Sequence, residues 1–239
     1  MGKREDIRAK RKKAQRQRMM TPILIVTGIV IVVMALIIFR SQVSIKSITL
    51  PEFNDYTMAE GNALGNPNAP VRIEEFADFQ CSACLQFHEQ TLSQIIDNYV
   101  ATGQVYLVFR SFPVLDRPGS SESHDAANAS YCAAEQNLFW EFHDVLFENR
   151  IGEGAGSFTT PRLLAMANKL GLDPTFEACL RENKYADQIL AESSAAINAG
   201  FNSTPSFLIN GQPLVGAYPF SEFVTLIEAA LAETQPVSP

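Results

Sequence analysis

Two cysteines, Cys81 and Cys84, stand where a predicted strand gives way to a predicted helix. The strand, 71–79, follows a proline and is rich in apolar residues. The helix, 81–99, carries its apolar side chains at helical spacing, and a second strand follows at 104–112. This order predicts a βαβ unit of a parallel sheet, with the cysteine pair at its strand-to-helix turn.

A block of helices and a return to strands follow this unit. The pattern from 120 to 199 is helical throughout. Two short runs, 206–209 and 213–216, flank Asn210–Gly211, a dipeptide typical of a two-residue hairpin turn. An amphipathic helix is predicted at 220–232. The whole order predicts an α/β fold into which a helical domain is inserted.

An uncharged apolar run occupies Pro22–Phe39, near the start of the chain. At ~1.5 Å per residue, a helix of this length nearly spans the hydrocarbon core of a bilayer, whereas a buried core helix is rarely apolar on every face. No small-x-small cleavage site follows the run, which favours an uncleaved signal anchor over a removed signal peptide. We therefore expect one N-terminal transmembrane helix at 21–40.

The charges are divided unequally along the chain. Residues 1–20 carry nine Lys and Arg and two acidic residues, a net +7, so the total of −7 leaves −14 for the rest. Basic residues beside a membrane span stay in the cytoplasm, so we expect a single-pass cell-membrane protein whose later residues are periplasmic or extracellular. That compartment permits disulfides. The acidic body argues against nucleic acid as a partner.

The place of Cys81 at the start of a helix favours its reactive form. Unpaired backbone N–H groups and the positive end of the helix dipole stabilise a thiolate there. A thiolate with a lowered pKa is both a nucleophile and a good leaving group. Cys84, one turn on, is close enough to form a disulfide with Cys81. The pair therefore predicts thiol–disulfide exchange.

Other uses of a Cys-x-x-Cys pair fit the sequence less well. A zinc site needs further ligands, but Cys132 and Cys179 stand alone, and none of the three histidines belongs to a ligand-spaced pair. A c-type haem needs a histidine directly after the second cysteine, where this chain has Leu85. We expect no metal and no bound cofactor. A purely structural disulfide between Cys81 and Cys84 is the remaining alternative.

Several motifs, in this order along the chain, resemble those of one family. They are Gly65–Val71 (GNPNAPV), Glu75–Cys84 (EFADFQCSAC), Ser130–Asp144 (SYCAAEQNLFWEFHD) and Ser203–Gly211 (STPSFLING). They look like the DsbA-like, thioredoxin-fold thiol–disulfide oxidoreductases, especially the membrane-anchored BdbD-like branch. The resemblance covers about 65–233. It implies a thioredoxin-like core with an inserted helical domain, and an enzyme that introduces disulfides into exported proteins.

The resemblance also implies a role for single residues. Cys81 matches the nucleophile and Cys84 the resolving cysteine. Glu75 matches a buried acid that shuttles the proton of the second cysteine, and burial on a central strand should raise its pKa. Pro205 matches a cis-proline that packs against the active-site disulfide, and Thr204 would pair its backbone with a substrate. The implied partners are exported proteins with free cysteines and a membrane quinone-linked oxidase of the DsbB or VKOR type.

The chain departs from this family between the two cysteines. Ser82 and Ala83 stand where the strongly oxidising members have Pro-His, so one cationic stabiliser of the thiolate is absent and the oxidising strength stays open. A reductase or isomerase on the same fold is the first alternative. An assembly factor that binds copper through the cysteines is the second, although copper sites usually recruit a nearby His or Met.

The two other cysteines, Cys132 and Cys179, lie in the helical block, outside the redox motif. Because the expected compartment permits disulfides, we predict a structural disulfide between them; two buried free thiols are the alternative. His88 lies two turns beyond the start of the helix that carries the redox pair. His124 and His143 are typical of ordinary helix residues.

These expectations divide the chain into parts. The segment before the core is rich in Pro, Gly, Asn and Asp, which predicts a tether. The predicted parts are a basic tail at 1–20, an anchor at 21–40, a tether at 41–64, a thioredoxin core at 65–118 and 200–239, and a helical insertion at 119–199.

Overall fold

The computed structural model describes residues 20, 25–38, 48–56 and 58–234. The chain divides into two units, 1–47 and 48–239. In the first unit, residues 25–38 are helical and their side chains are exposed. Among the residues described, no helix is both long enough and apolar enough to span a membrane. Most of the tail predicted at 1–20 and the ends of the anchor predicted at 21–40 lie outside the described residues, so both stay predictions.

The second unit is built on a six-stranded sheet. Its strands are β1 (Ala59–Glu60), β2 (Ala63–Leu64), β3 (Val71–Ala77), β4 (Val105–Ser111), β5 (Ser206–Ile209) and β6 (Gln212–Val215). Their order across the sheet is β1-β2-β4-β3-β5-β6. β3 and β4 are parallel, and the other neighbouring pairs are antiparallel. The predicted βαβ strands and the predicted hairpin are confirmed.

The hairpin between β5 and β6 depends on the two residues of its turn. Asn210 has φ 47° and Gly211 has φ 84°, so both occupy the left-handed region. A two-residue turn of this kind matches the right-handed twist of the flanking strands, and Asn-Gly is the pair that adopts it most readily. The turn is also fixed to β3, because the backbone N–H of Arg72 donates to Asn210 Oδ1 at 2.8 Å.

A continuous helical stretch, α1, connects β3 to β4 across residues 82–100. Its successive parts are Ser82–Phe87 (α-helical), His88–Leu92 (π-helical), Ser93–Ile95 (α-helical) and Ile96–Val100 (π-helical). The helix was predicted, but the two π segments were not. A π segment adds one residue to a turn and so redirects the side chains that follow. The apolar spacing along the sequence predicts the helix without fixing this local change.

Five helices form the insertion between β4 and β5. They are α2 (Glu122–Ala134), α3 (Phe139–Glu148), α4 (Thr160–Leu170), α5 (Thr175–Glu182) and α6 (Ala186–Asn198). Cys132 on α2 and Cys179 on α5 form a disulfide whose S–S distance is 2.01 Å, as predicted. Both cysteines are buried. This disulfide lies within the insertion and does not involve Cys81 or Cys84, which are free thiols.

The last helix, α7 (Phe220–Thr234), returns to the sheet. The fully buried ring of Phe223 lies 5.3 Å from the ring of Phe87 on α1 and 5.0 Å from that of Phe207 on β5. These contacts place α1 and α7 side by side on one face of the sheet. The helix predicted at 220–232 is confirmed, with two more residues at its end.

The edge hairpin β1–β2 differs from the prediction, because its residues were assigned to the tether at 41–64. Ala63 pairs with Val108 and Leu64 with Leu107, which joins the hairpin to β4. Ala63 and Leu64 are buried, and the indole N–H of Trp140 donates to the Ala63 carbonyl at 3.2 Å. Strands of two residues are too short to show alternation, so no sequence pattern predicts them. The folded unit therefore begins before residue 65.

Candidate active site

Cys81 lies at the end of the short turn that links β3 to α1. Its backbone N–H donates to the Asp78 carbonyl at 2.9 Å, and its own carbonyl accepts from the N–H of Leu85 at 3.1 Å. The second bond is the first of the helix, so Cys81 occupies the N-cap position with an extended backbone. Both Cys81 and Cys84 are free thiols. The expected place of the pair at a strand-to-helix turn is confirmed.

The environment of Cys81 favours the thiolate. A hydrogen bond from the Cys84 thiol is the largest cause that lowers the Cys81 pKa, to about 5, although burial opposes it. The side chain of Thr204 and the backbone N–H groups of Cys84 and Ala83 lower the pKa further. The two N–H groups point at the sulfur because it stands at a helix N-terminus, where N–H groups lack helical partners. Cys81 is therefore ionised at neutral pH.

Cys84 has the opposite character. It is fully buried, and burial raises the pKa of its thiol well above the usual range. The hydrogen bond to Cys81 and the nearby charge of Cys81 raise it further. One cysteine of the pair, 8% exposed, is thus a stabilised anion, and the other, fully enclosed, is a protonated thiol. Such asymmetry assigns nucleophilic attack to Cys81 and the resolving step to Cys84.

The loop before β5 closes over the sulfur of Cys81. The peptide bond between Thr204 and Pro205 is cis, and Pro205 is buried. The Thr204 carbonyl oxygen lies 3.3 Å from Cys81 Sγ. The carbonyl of Pro205 accepts from the N–H of Gly216 at 2.8 Å, which ties the loop to the end of β6. The structure therefore brings together the two segments that the sequence places more than a hundred residues apart.

Glu75 lies in the interior, on the central strand of the sheet. It is 1% exposed and sits between Phe109 on β4 and Phe207 on β5. Burial raises the pKa of its carboxyl to about 8, so the group holds a proton at neutral pH. Its Oε2 has no hydrogen-bond partner among the described residues. The neighbouring Glu74 lies on the other face, where Arg110 Nε donates to it at 3.0 Å.

Asp78 is a site residue that sequence reasoning did not single out. Its buried carboxylate accepts from the N–H of Gln80 at 2.8 Å, the N–H of Leu115 at 3.0 Å and the hydroxyl of Ser123 at 2.7 Å. Burial raises its pKa to about 6 despite these bonds, and the charge of Cys81 adds to the rise. The bond from Gln80 lies within the cysteine turn, and the bonds from Leu115 and Ser123 fix that turn to the loop after β4 and to α2. The signal for it, a charged residue beside buried ones at a strand end, was present in the sequence.

Ser82 and Ala83 separate the two cysteines without adding a charge to the site. Ser82 is exposed, whereas Ala83 is half-buried. Neither side chain can act as a cationic partner of the Cys81 thiolate. The stabilisation of that thiolate therefore comes from hydrogen bonds rather than from a neighbouring positive charge.

A second group of polar residues, His88, His143 and Asp144, lies between α1 and α3. No sequence pattern predicts this group, because His88 stands 55 positions before His143 and no ligand spacing links them. Two helices that are far apart in the chain bring these side chains together in the fold.

Comparison with known proteins decides the family. The family model described as thioredoxin matches residues 57–229, which is most of the chain. The chain belongs to the thioredoxin family. Within the matched residues lie the parallel pair β3–β4, with the cysteine turn between the two strands, and the five helices α2–α6 that follow β4. The expected α/β, thioredoxin-like fold with a helical insertion is confirmed.

Individual relatives of this thioredoxin-family chain differ in how far they match. Disulfide bond formation protein D of Bacillus subtilis is 25% identical, over 70% of this chain and 76% of that protein. The Na(+)/H(+) antiporter NhaA 3 of Salinispora tropica is 30% identical over 72% of this chain, but the chain spans only about a quarter (25%) of the antiporter's length. Oxidised BdbD from Bacillus subtilis superposes with a TM-score of 0.65 at 24% identity, covering 75% of this chain and 97% of BdbD. This last likeness shows a shared fold.

Proposed function

We propose that this chain is a thiol–disulfide oxidoreductase that introduces disulfides into exported proteins through Cys81 and Cys84. The observation that carries the proposal is the contrast between the two thiols. The Cys81 pKa is lowered to about 5, chiefly by the Cys84 thiol, while burial raises that of Cys84. A low pKa of the outer cysteine stabilises the reduced pair and so makes the disulfide a stronger oxidant. A relative named for disulfide bond formation supports the same direction.

The first step transfers a disulfide to the substrate. A substrate thiolate attacks Cys81 Sγ of the Cys81–Cys84 disulfide, and the S–S bond breaks with Cys84 leaving as a thiolate. Because Cys84 is buried, this leaving thiolate needs a proton. Glu75 holds one at neutral pH, since burial raises its pKa to about 8. We propose that Glu75 supplies that proton, directly or through water.

The second step releases the product. A second substrate thiolate attacks the substrate sulfur of the mixed disulfide, and Cys81 leaves as a thiolate that its hydrogen bonds stabilise. The substrate loses two electrons and gains a disulfide, while the enzyme gains the two electrons as a dithiol. The loop at Thr204 and Pro205 lies against Cys81 and is the proposed place where the substrate backbone pairs.

Reoxidation requires an acceptor for those two electrons. We propose a membrane quinone-linked oxidase of the DsbB or VKOR type as this partner, and proteins with free cysteines as the substrates. The family relationship and the exchange chemistry at Cys81 support both. No bound cofactor takes part in the proposed cycle.

A membrane location would place the redox pair beside that partner. We propose that residues 21–40 anchor the chain, with the tail at 1–20 in the cytoplasm and the catalytic unit in the periplasm or outside the cell. The uncharged run Pro22–Phe39 and the nine Lys and Arg before it support this orientation. We expect external protease to remove a C-terminal epitope from spheroplasts while an N-terminal epitope is protected; protection of both would contradict the proposal.

The reduction potential of the pair tests the direction of electron flow. For the full-length chain equilibrated in glutathione buffers, we expect the Cys81–Cys84 couple between about −180 and −120 mV, the range of oxidising exchange proteins. A value near about −270 mV, like that of thioredoxin, would make the chain a reductase instead. The variant Cys132→Ala/Cys179→Ala is the matched control, because it removes the second disulfide and should leave the potential unchanged.

A further inference from the structure

Two histidines and an aspartate form a compact group between α1 and α3. Asp144 Oδ1 lies 3.1 Å from His143 Nδ1 and 3.7 Å from His88 Nδ1. One ligand atom from each of the three residues lies within 4.8 Å of the others. His88 is also the first residue of a π-helical segment, a local change of helix geometry that is frequent at functional sites. The two helices thus direct two imidazoles and a carboxylate to one point.

Two ring nitrogens of this group are left without partners. His88 Nδ1 and His143 Nε2 are buried and accept or donate no hydrogen bond within the described part of the chain. Buried polar atoms of native proteins nearly always have a partner, so each exception needs an explanation, and a bound water or ion is one. The unpaired His88 Nδ1 is the one that faces Asp144 Oδ1, whereas His143 faces that oxygen with Nδ1 rather than with the unpaired Nε2. His143 itself is 1% exposed, so bulk water does not reach its ring.

A second set of residues orients the carboxylate. The hydroxyl of Tyr56 lies 2.9 Å from Asp144 Oδ1 and 2.8 Å from Oδ2, within hydrogen-bonding distance of both. Asn54 Nδ2 in turn donates to the Tyr56 hydroxyl at 3.2 Å. Partners of this kind fix the orientation of a metal ligand and usually matter for affinity.

Aromatic side chains enclose His143, while the side chain of His88 is partly exposed to solvent. Four phenylalanine rings lie near the ring of His143, with centroids between 4.9 and 6.3 Å away: Phe79, Phe109, Phe139 and Phe147. The side chain of His88 is 16% exposed, so an ion can reach the group from that side. An enclosed site has a lower effective dielectric constant than water, so the electrostatic attraction between its ligands and a cation is stronger there.

We propose that His88, His143 and Asp144 bind one divalent transition-metal ion, with zinc as the best match to their donor atoms. Two imidazole nitrogens and one carboxylate oxygen suit zinc, whereas calcium and magnesium require oxygen ligands alone. The bound ion would connect α1, the helix that begins at the redox pair, to α3 of the insertion. This site is separate from the cysteines and does not depend on the proposed oxidoreductase function.

Metal uptake by the full-length, untagged chain tests the site. The Cys81–Cys84 pair is first oxidised, so that no thiolate competes for the metal. Equilibrium dialysis against zinc is expected to leave one ion per chain, and cobalt is expected to give visible absorption bands without a sulfur charge-transfer band. We expect His88→Gln to weaken zinc binding at least about 100-fold, since it removes a ligand, and Tyr56→Phe to weaken it by about 10- to 100-fold.

His124→Gln is the matched control, because His124 lies outside the group, where its Nε2 is 3.1 Å from Asn183 Oδ1, and zinc binding should be unchanged. Equal uptake by the wild type and both His88→Gln and Tyr56→Phe would overturn the proposal. So would uptake that appears only after the cysteines are reduced, which would assign the metal to the thiolates. If His88→Gln fails to fold by circular dichroism, the shape-conserving Tyr56→Phe decides.

Discussion

Replacing Cys81 with serine is expected to slow thiol–disulfide exchange by at least about 1,000-fold, as removal of a nucleophile does in other covalent enzymes. A serine hydroxyl forms no disulfide, and Cys84 cannot take over the reaction. Cys84 is fully buried, and burial raises the pKa of its thiol, so a substrate finds neither access nor a thiolate there. The measurement is the rate at which each chain, after the same treatment with an oxidant and its removal, forms a disulfide in a reduced two-cysteine peptide.

Cys84→Ala is the matched variant, because it removes the other thiol and leaves the nucleophile. We expect it to lose turnover but to form a stable mixed disulfide with glutathione at Cys81. We also expect a shift in the pH dependence of alkylation by iodoacetamide. The wild type should react with a midpoint near pH 5, and the variant at higher pH, since the Cys84 thiol is the largest cause of the lowered pKa. An unchanged midpoint, or exchange activity in Cys81→Ser, would contradict this account of the site.

The redox motif was predictable because its chemistry depends on residues that are close in sequence. A strand, two cysteines and a helix within thirty residues fix both the fold of that segment and the position of Cys81 at a helix N-terminus. Pro205 was predictable in a different way. Its contact with Cys81 spans more than a hundred positions, and only the resemblance to a known family connected the two.

Residues that act through long-range contacts were not predictable from spacing. Asp78 was visible as a strand-end acid, but its partners Leu115 and Ser123 lie 37 and 45 positions away. His88 and His143 lie on two helices whose packing no periodic pattern specifies. Burial produces the effects at these sites, since it changes pKa values and leaves ring nitrogens unpaired. A sequence shows which residues are polar, but not which polar residues a fold encloses.

Glu75→Gln is expected to raise the free energy of unfolding by about 3 kcal/mol at pH 7. The reason is that Glu75 is buried, and burial changes the protonation of its carboxyl. In the folded chain, burial raises the Glu75 pKa to about 8. In the unfolded chain the carboxyl ionises near its ordinary pKa of about 4.3. Between these values only the folded state holds the proton. Stability therefore decreases as pH rises, by up to about 1.4 kcal/mol per pH unit.

The contribution of the Glu75 carboxyl to the free energy of unfolding is thus fully favourable below about pH 4 and is lost as pH rises toward 8. Glutamine does not titrate in either state, so Glu75→Gln should match the wild type near pH 4 and exceed it at pH 7. Urea unfolding of the oxidised chains across this range measures the difference, and oxidation keeps the thiols from titrating. Parallel pH profiles of the two chains would show that the Glu75 carboxyl is not held protonated.

Glu74→Gln is the matched control, because the adjacent carboxyl should respond in the opposite direction. Burial acts to raise the Glu74 pKa, but hydrogen bonds from Arg72 and Arg110 outweigh it, so the pKa is lowered. The stabilisation by the Glu74 carboxylate is present above its unfolded pKa and is lost as pH falls, so Glu74→Gln should destabilise the chain at pH 7 rather than stabilise it.

The rate of thiol–disulfide exchange should also differ between Glu75→Gln and Glu74→Gln. Glu75→Gln removes the proposed proton donor to Cys84 and should lower turnover about 100-fold, the usual effect of losing a general acid, whereas Glu74→Gln should not. The Glu75 carboxyl thus lowers stability at neutral pH, and on this account its function is to give the leaving thiolate a proton.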